Sequence, residues 1–484
     1  MSFMAEEAEP LLGTREVDKY RDKIINGPII KTFLWLGTPP LLNQLVLISY
    51  NVANTYWLSC YSELCISVPR QVFPVIMLFQ ALVMAFNAAC LSILSQSVGA
   101  GAYAVASTEA SRFFTVACIT GATLNVTLLT LRDKIFSWLV YTPREIFDEV
   151  MAFTSIAAFD VLFMAVAFTL TTLLQSLGDT KRPAIINIIS VIVNVMLDPL
   201  FILGVGPFPR LGVVGAAITD VMGKIISIAG QAYLLKRNYP ILKLSFTRNF
   251  SFNWAKIVLR IGFPVLSFGI LNGFAFILQQ RLINMLGIVA ATALSVGFVV
   301  VQIVDGALFG LCQATAIMVG QSLGAANPRR AREVAFKTTM IVFIFVMVGV
   351  IAVYPFRRLI INLFVTSPEI VEETELFLNM MLPSLPFFGI CINAMAVGRG
   401  AGHTITPTAV EIVRIWSIRV ALGYFLTFVA NMNTIGMWIP LSLSNFIGGV
   451  ALATWVKCGK WDKTVIEINW VTGKGRLSPY GRFT

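Results

Sequence analysis

The sequence predicts an all-α polytopic membrane protein, with twelve transmembrane helices in two six-helix lobes related by a parallel pseudo-two-fold repeat. Three observations carry that expectation: composition, the spacing of apolar runs, and an internal duplication. Of 484 residues, 57% are hydrophobic and only 13% charged, against about 45–50% and about 25% in soluble domains. A mean hydropathy of +0.79 agrees, so the length reads as one membrane body and not as several globular domains.

Long apolar runs fall at 29–58, 66–95, 113–131, 151–176, 184–205, 213–235, 257–285, 291–319, 338–356, 376–397, 408–430 and 435–456. At about 1.5 Å per residue each can cross a hydrocarbon core of about 30 Å. Pro39, Pro40, Pro74, Pro199, Pro264 and Pro440 lie inside spans, where neighbours or a cavity must satisfy the carbonyls they free. The expected divisions are a polar cytoplasmic tail (1–27), an N-terminal lobe (28–236), a basic cytoplasmic linker (237–254), a C-terminal lobe (255–457) and a cytoplasmic tail (458–484). The first tail is acidic (Glu6, Glu7, Glu9, Glu16, Asp18, Asp22), the reverse of a signal-peptide n-region, so the first span is expected to stay as an anchor. Glu7 to Leu12 also fits an acidic di-leucine sorting pattern.

Charge asymmetry sets the orientation. The connection 236–256 carries Lys236, Arg237, Lys243, Arg248 and Lys256 with no acid, and 324–337 carries Arg329, Arg330, Arg332 and Lys337 against Glu333. Acidic loops oppose them, with Asp133, Glu145, Asp148 and Glu149 in one and Glu369, Glu372, Glu373 and Glu375 in the other. Basic connections stay inside, so both termini are expected to be cytoplasmic. The net charge of +11 is this loop bias; without a basic stripe interleaved with aromatics, no nucleic-acid partner is expected. Cys90, Cys118, Cys312 and Cys391 sit in apolar stretches as small hydrophobes. Cys60 and Cys65 share a short loop and are expected as free thiols, with pairing the alternative.

The duplication is read from fixed offsets. Gly37 and Pro39 recur 225 residues later as Gly262 and Pro264, and Gln96-Ser-Val-Gly-Ala100 recurs as Gln321-Ser-Leu-Gly-Ala325. Gly178, Thr180, Pro183 and Gly212 recur at 224 as Gly402, Thr404, Pro407 and Gly436. Six spans per half is an even number, so the halves are parallel repeats, and a transport site is expected at the interface between them.

Charges within spans are costly, about 2.5–3.5 kcal/mol each at a helix centre, and so are functional candidates. They are Asp160, Asp198, Asp220, Lys224, Arg281, Asp305, Glu411, Arg414 and Arg419. Asp198 precedes Pro199, which leaves a carbonyl free nearby, and Asn194 shares its helix face. Carboxylate, amide and backbone oxygens around one spot suit a proton or a small hard cation. Asp220 and Lys224, four apart, are either functional or a neutralising intrahelical pair. Asp160 and Asp305 could line a cavity or an interface; Glu411, Arg414 and Arg419 form a structural ion-pair set or an anion-binding face. Tyr50, Asn51 and Gln279 join Asp160 and Asp305 as candidate substrate-cavity residues. Neutral amides such as Asn51 and Asn54 also serve as helix–helix glue, and Tyr50 and Trp57 could belong to a lipid-facing aromatic belt. His403 is the only histidine and no G-x-x-x-x-G-K-[ST] loop exists. Enzymatic activity, a cofactor and ATP hydrolysis through a Walker site are therefore not expected.

The stretches Leu36-Gly-Thr-Pro39, Tyr50-Asn-Val-Ala-Asn54 with Trp57, Leu177-Gly-Asp-Thr-Lys-Arg-Pro183, Asn194-Val-Met-Leu-Asp198-Pro-Leu-Phe-Ile202 and Gly212-Val-Val-Gly-Ala-Ala217 resemble the multidrug and toxic compound extrusion (MATE) family. The resemblance runs from about residue 28 to 457 and is nearest the archaeal, DinF-like branch. It implies a V-shaped pair of bundles and secondary antiport of cationic or amphipathic drugs or metabolites against protons or sodium; the protein is expected to act as a monomer. In that branch an Asp of span one, an Asn and an Asp of span five and a Thr of span six hold the coupling cation. Here the span-five pair is Asn194 and Asp198, while Asn54 stands at the span-one acid and Asp220 at the span-six Thr. One carboxylate is thus expected to have moved from span one to span six. The expected coupling set is Asp198, Asn194, Asp220 and Asn54, with a possible sodium at the first three. Rival readings are a flippase for lipid-linked sugars, supported by Arg414 and Arg419, a membrane-embedded enzyme, and a non-transporting membrane protein.

Overall fold

Inside hydrocarbon every backbone N–H and C=O must be satisfied within its own segment, which forces apolar runs of this length into helices. The computed structural model describes residues 14–62, 67–140 and 142–465; the di-leucine-like stretch and Cys65 lie outside them. Helices α1 (Thr14–Asn26), α2 (Ile29–Tyr61), α3 (Ser67–Gly99), α4 (Tyr103–Lys134), α5 (Phe147–Ser176), α6 (Lys181–Leu203) and α7 (Val213–Asn238) form the first half. Helices α8 (Phe252–Asn284), α9 (Ile288–Gly324), α10 (Pro328–Val353), α11 (Arg357–Asn362), α12 (Pro368–Met381), α13 (Leu385–Ala401), α14 (Ile405–Val413) and α15 (Ile435–Cys458) form the second.

Among the described residues, 11 helical segments are long and apolar enough to cross a membrane. The twelfth member of the bundle is α2. It is 33 residues long but diluted by Asn43, Gln44, Asn51 and Asn54, polar groups that lower its hydropathy. The protein is a multi-pass integral membrane protein. Helix α14 continues as a π-helix over Arg414–Leu422. Its i→i+5 bonding brings residues five apart toward one face.

Two six-helix groups pack internally and meet along α2 and α3 of the first against α8 and α9 of the second. Small residues allow the close approach: Gly37 lies on Leu311, Gly310 on Leu41, and Gly262 on Ala85. The end of the bundle with the Lys- and Arg-rich connections is closed by the duplicated Gln-Ser-x-Gly-Ala segments. Gln96 Nε2 donates to the carbonyls of Gly400 and Ala401, each at 3.2 Å. Its repeat mate Gln321 donates to Ser176 O at 2.8 Å. A Cβ on Gly99 would overlap the Gln321 carbonyl, and one on Gly324 the Gln96 carbonyl. Only glycine fits at either crossing.

Both chain ends strap this basic end. Within the region expected as a tail, α1 buries Val17 and Ile24; Arg21 Nε donates to Gly99 O at 2.8 Å, and Glu16 pairs with Arg182 at 2.8 Å. After α15, Trp461 is buried, Asp462 pairs with Arg332 at 2.8 Å, and the Val465 amide donates to Gln96 Oε1 at 3.0 Å. The connection between α7 and α8 is extended and laid on α4, where Ser111 Oγ donates to Lys243 O at 2.8 Å and Arg112 Nε to Asn249 O at 2.8 Å.

Candidate functional site: a buried carboxylate cluster and an inter-lobe cavity

Helix α6 presents Asn187, Ser190, Asn194 and Asp198 at spacings of three and four, so one face carries a polar stripe through an otherwise apolar helix. The stripe faces α7. Nearest the cavity described below, Asn187 Oδ1 accepts from Ser227 Oγ at 2.7 Å and Gln231 Nε2 at 3.0 Å. Ser190 donates to the carbonyl of Gly223. Asn194 Nδ2 donates to Asp220 Oδ1 at 3.0 Å. Tyr50 of α2 donates its hydroxyl to the same oxygen. Asp198, fully buried at 0% exposure, accepts from Thr219 Oγ1 at 2.6 Å. Two acceptors in this cluster, Asp198 Oδ2 and Asn194 Oδ1, are buried with no hydrogen-bond partner among the described residues.

The cluster thus unites Asp198, Asn194, Asp220 and Tyr50. Of the two readings of Asp220 and Lys224, the direct intrahelical contact is not the one formed: the ion pair of Lys224 is with Asp160 of α5 at 3.4 Å, because a third helix brings a carboxylate within reach. Thr219, one residue before Asp220, donates its hydroxyl to Asp198, so this helix brings both a hydroxyl and a carboxylate to the cluster. Asn54 sits one helical turn beyond Tyr50, its Oδ1 buried and unpartnered, with no hydrogen bond to the cluster. Asn51 is exposed. Gln279 is buried on α8. Asp305 on α9 has an unpartnered Oδ1.

Glu411, Arg414 and Arg419 are structural. Arg414 forms a buried two-pronged pair with Glu411 at 2.8 and 2.6 Å, while Arg419 donates to Ser444 Oγ at 2.7 Å and Asn445 Oδ1 at 2.6 Å. The π geometry aims both guanidiniums at α15, so they do not form an anion-binding face.

Between the lobes lies a cavity of about 190 Å³. Its wall is amide-rich, with Asn43, Gln44, Asn87, Gln175, Asn187 and Gln313, and Phe168 and Phe309 add apolar surface. Gln313 Nε2 donates to Gln175 Oε1 across the lobes at 2.9 Å. Arg399 is the one charged residue in the lining. None of Tyr50, Asn51, Asp160, Gln279 or Asp305 lines this cavity. Sequence reading missed Thr219 and Arg399; the latter stands just past an apolar run and reads there as a flanking cation.

The profile of the MatE family matches twice, over residues 39–200 and 264–425. The chain belongs to the MatE family. The double match reproduces the duplication and covers most of the chain. Among curated relatives, a "Probable multidrug resistance protein YoeA" of Bacillus subtilis is 28% identical, over 66% of this chain and 72% of its own length. A "FAD transporter" of Shewanella oneidensis is 22% identical over 90% of this chain and 95% of its own. Solved MATE structures share the fold. One in the bent conformation has a TM-score of 0.82 at 20% identity over 90% of this chain and 96% of that one. An outward-facing multidrug resistance MATE transporter gives 0.82 at 20% identity with the same coverage.

Proposed function

We propose that this MatE protein is a secondary antiporter that exports amphipathic organic compounds, cationic drugs or metabolites among them, in exchange for protons by alternating access. The observation that carries the reading is the unpartnered Asp198 Oδ2, fully buried beside a second carboxylate. A buried ionised oxygen without a partner is strongly unfavourable. Taking up a proton relieves that cost. Thr219, Tyr50 and Asn194 engage one oxygen of each carboxylate; a proton needs only one of the oxygens left, whereas sodium requires several at once. The ion is cargo, and no resident cofactor or catalytic step is needed.

The polar stripe on α6 links this cluster to the cavity, since Asn187 belongs to both. Loading the cluster with a proton changes what Asp220 and Tyr50 offer each other, and so biases how α2 packs on α7 and on α9. A ligand can shift a two-state equilibrium only through such differential contacts. The basic end is taken as cytoplasmic by the distribution of Lys and Arg. Its closure by Gln96, Gln321 and the two strapping termini then corresponds to the outward-facing state.

The test is efflux of ethidium from proteoliposomes under an imposed proton gradient and, separately, a sodium gradient. Proton-driven efflux is expected, reduced at least about tenfold by Asp198→Asn, in line with loss of a charge-assisted interaction of about 1.5–3 kcal/mol. Efflux driven only by sodium would reassign the ion, and efflux indifferent to Asp198→Asn would remove the cluster from coupling.

A further inference from the structure

We propose that the inter-lobe cavity contains an anion subsite centred on Arg399, which admits amphipathic organic anions, carboxylates, phosphates or sulfonates on an aromatic body, as substrates. The inference rests on the antiport reading and names a substrate class for the same cavity.

Four observations carry it. The lining includes a single charge, Arg399, and no carboxylate. Arg399 has no ion pair among the described residues, and its Nε is buried without an acceptor. Among the described residues, the fully buried arginines are all engaged: Arg112 with Glu109 at 2.7 Å, Arg414 with Glu411 at 2.6 Å, and Arg419 with Ser444 and Asn445. Finally, Phe168 and Phe309 share the cavity with it, giving an aromatic body faces to lie against.

A guanidinium is a planar fork of donors that matches two oxygens of one oxyanion, and it cannot shed its charge. Holding it unpaired in a partly buried cavity is costly, so the group that completes it comes from outside the fold. The amides around it can donate as readily as they accept, so they extend the site toward further oxygens. The carboxylates of the coupling cluster do not line the cavity, which keeps the two charge types apart: protons on α6 and α7, and the anion against α13.

Two probes of similar ring size and opposite permanent charge test this, naphthalene-1-sulfonate and N-methylquinolinium. Full-length protein in proteoliposomes is assayed for proton-gradient-driven flux of each, as wild type, Arg399→Gln, Arg399→Lys and Asp198→Asn. Wild type is expected to move the sulfonate. Arg399→Gln should lower the sulfonate-to-quinolinium flux ratio at least about tenfold, as loss of one charge-assisted pair predicts, with partial recovery in Arg399→Lys. Thermal stabilisation of the purified protein by the sulfonate should fall in parallel. Wild type that moves only quinolinium overturns the anion subsite and leaves antiport standing. A flux ratio unchanged in Arg399→Gln, or equal loss of both probes, reduces Arg399 to a structural group and also overturns it. Absence of gradient-driven flux for either probe in wild type overturns the antiport reading, and this one with it.

Discussion

Asp160, Asp220 and Lys224 put three charges into the apolar body of the first lobe, and their arrangement decides which of them is free for the proposed coupling. Lys224 is committed to Asp160, while Asp220 is held by two neutral donors, Tyr50 and Asn194. A double-mutant cycle separates these roles. Asp160→Asn and Lys224→Met should each destabilise by roughly 2–4 kcal/mol, because each strands a partly desolvated charge, and the double variant by less than the sum. Additive losses, followed by thermal unfolding in detergent, would mean that Lys224 serves Asp220 after all. Much of this site was legible in the chain. A carboxylate in an apolar run is visible in one dimension, and Asn194 follows from helical spacing. The partners supplied by other helices were not. Spacing left Lys224 with Asp220 as one of two readings because it counts residues on one helix, and Thr219 and Asp220 could not be told apart without the rotation of α7 against α6.

At the scale of elements, periodicity located the helices well but said little about their ends. The apolar runs predicted spans, yet α1 and the segment after α15 are too polar to register as part of the body. They become ordered by capping the basic end. His403 ties that second segment down, with Nε2 3.2 Å from Lys463 O. Burial, more than the neighbouring Arg260 and Lys463, holds its pKa below the usual histidine range. The folded protein therefore resists a proton that the unfolded chain accepts. This contribution to stability is full at neutral pH and is lost as the pH falls below about 6.5. The thermal midpoint should decline on acidification, and His403→Gln should flatten that decline; an identical pH profile in the variant would exclude the residue as its source. The π-helical run in the second lobe was equally unreadable, since Arg414 and Arg419 converge on Ser444 and Asn445 only once the helix widens.

For the whole molecule, the duplication does more than double the helix count. Repeat-related Gln96 and Gln321 each reach across to the other lobe, and repeat-related Gly99 and Gly324 let the backbones close on them. The basic end is therefore a two-fold seal that must part as a unit for the cavity to open on that side. In the proposed antiport cycle, one polar stripe along α6 ties this seal to the carboxylate cluster. Spin labels placed on α4 and α10 at the basic end, read by pulsed electron resonance across a pH series, measure that tie directly. Wild type is expected to shift its inter-lobe distance distribution as the cluster gains protons, and Asp198→Asn combined with Asp220→Asn to hold one distribution at every pH. A pH-dependent shift that survives in the double variant would contradict that tie.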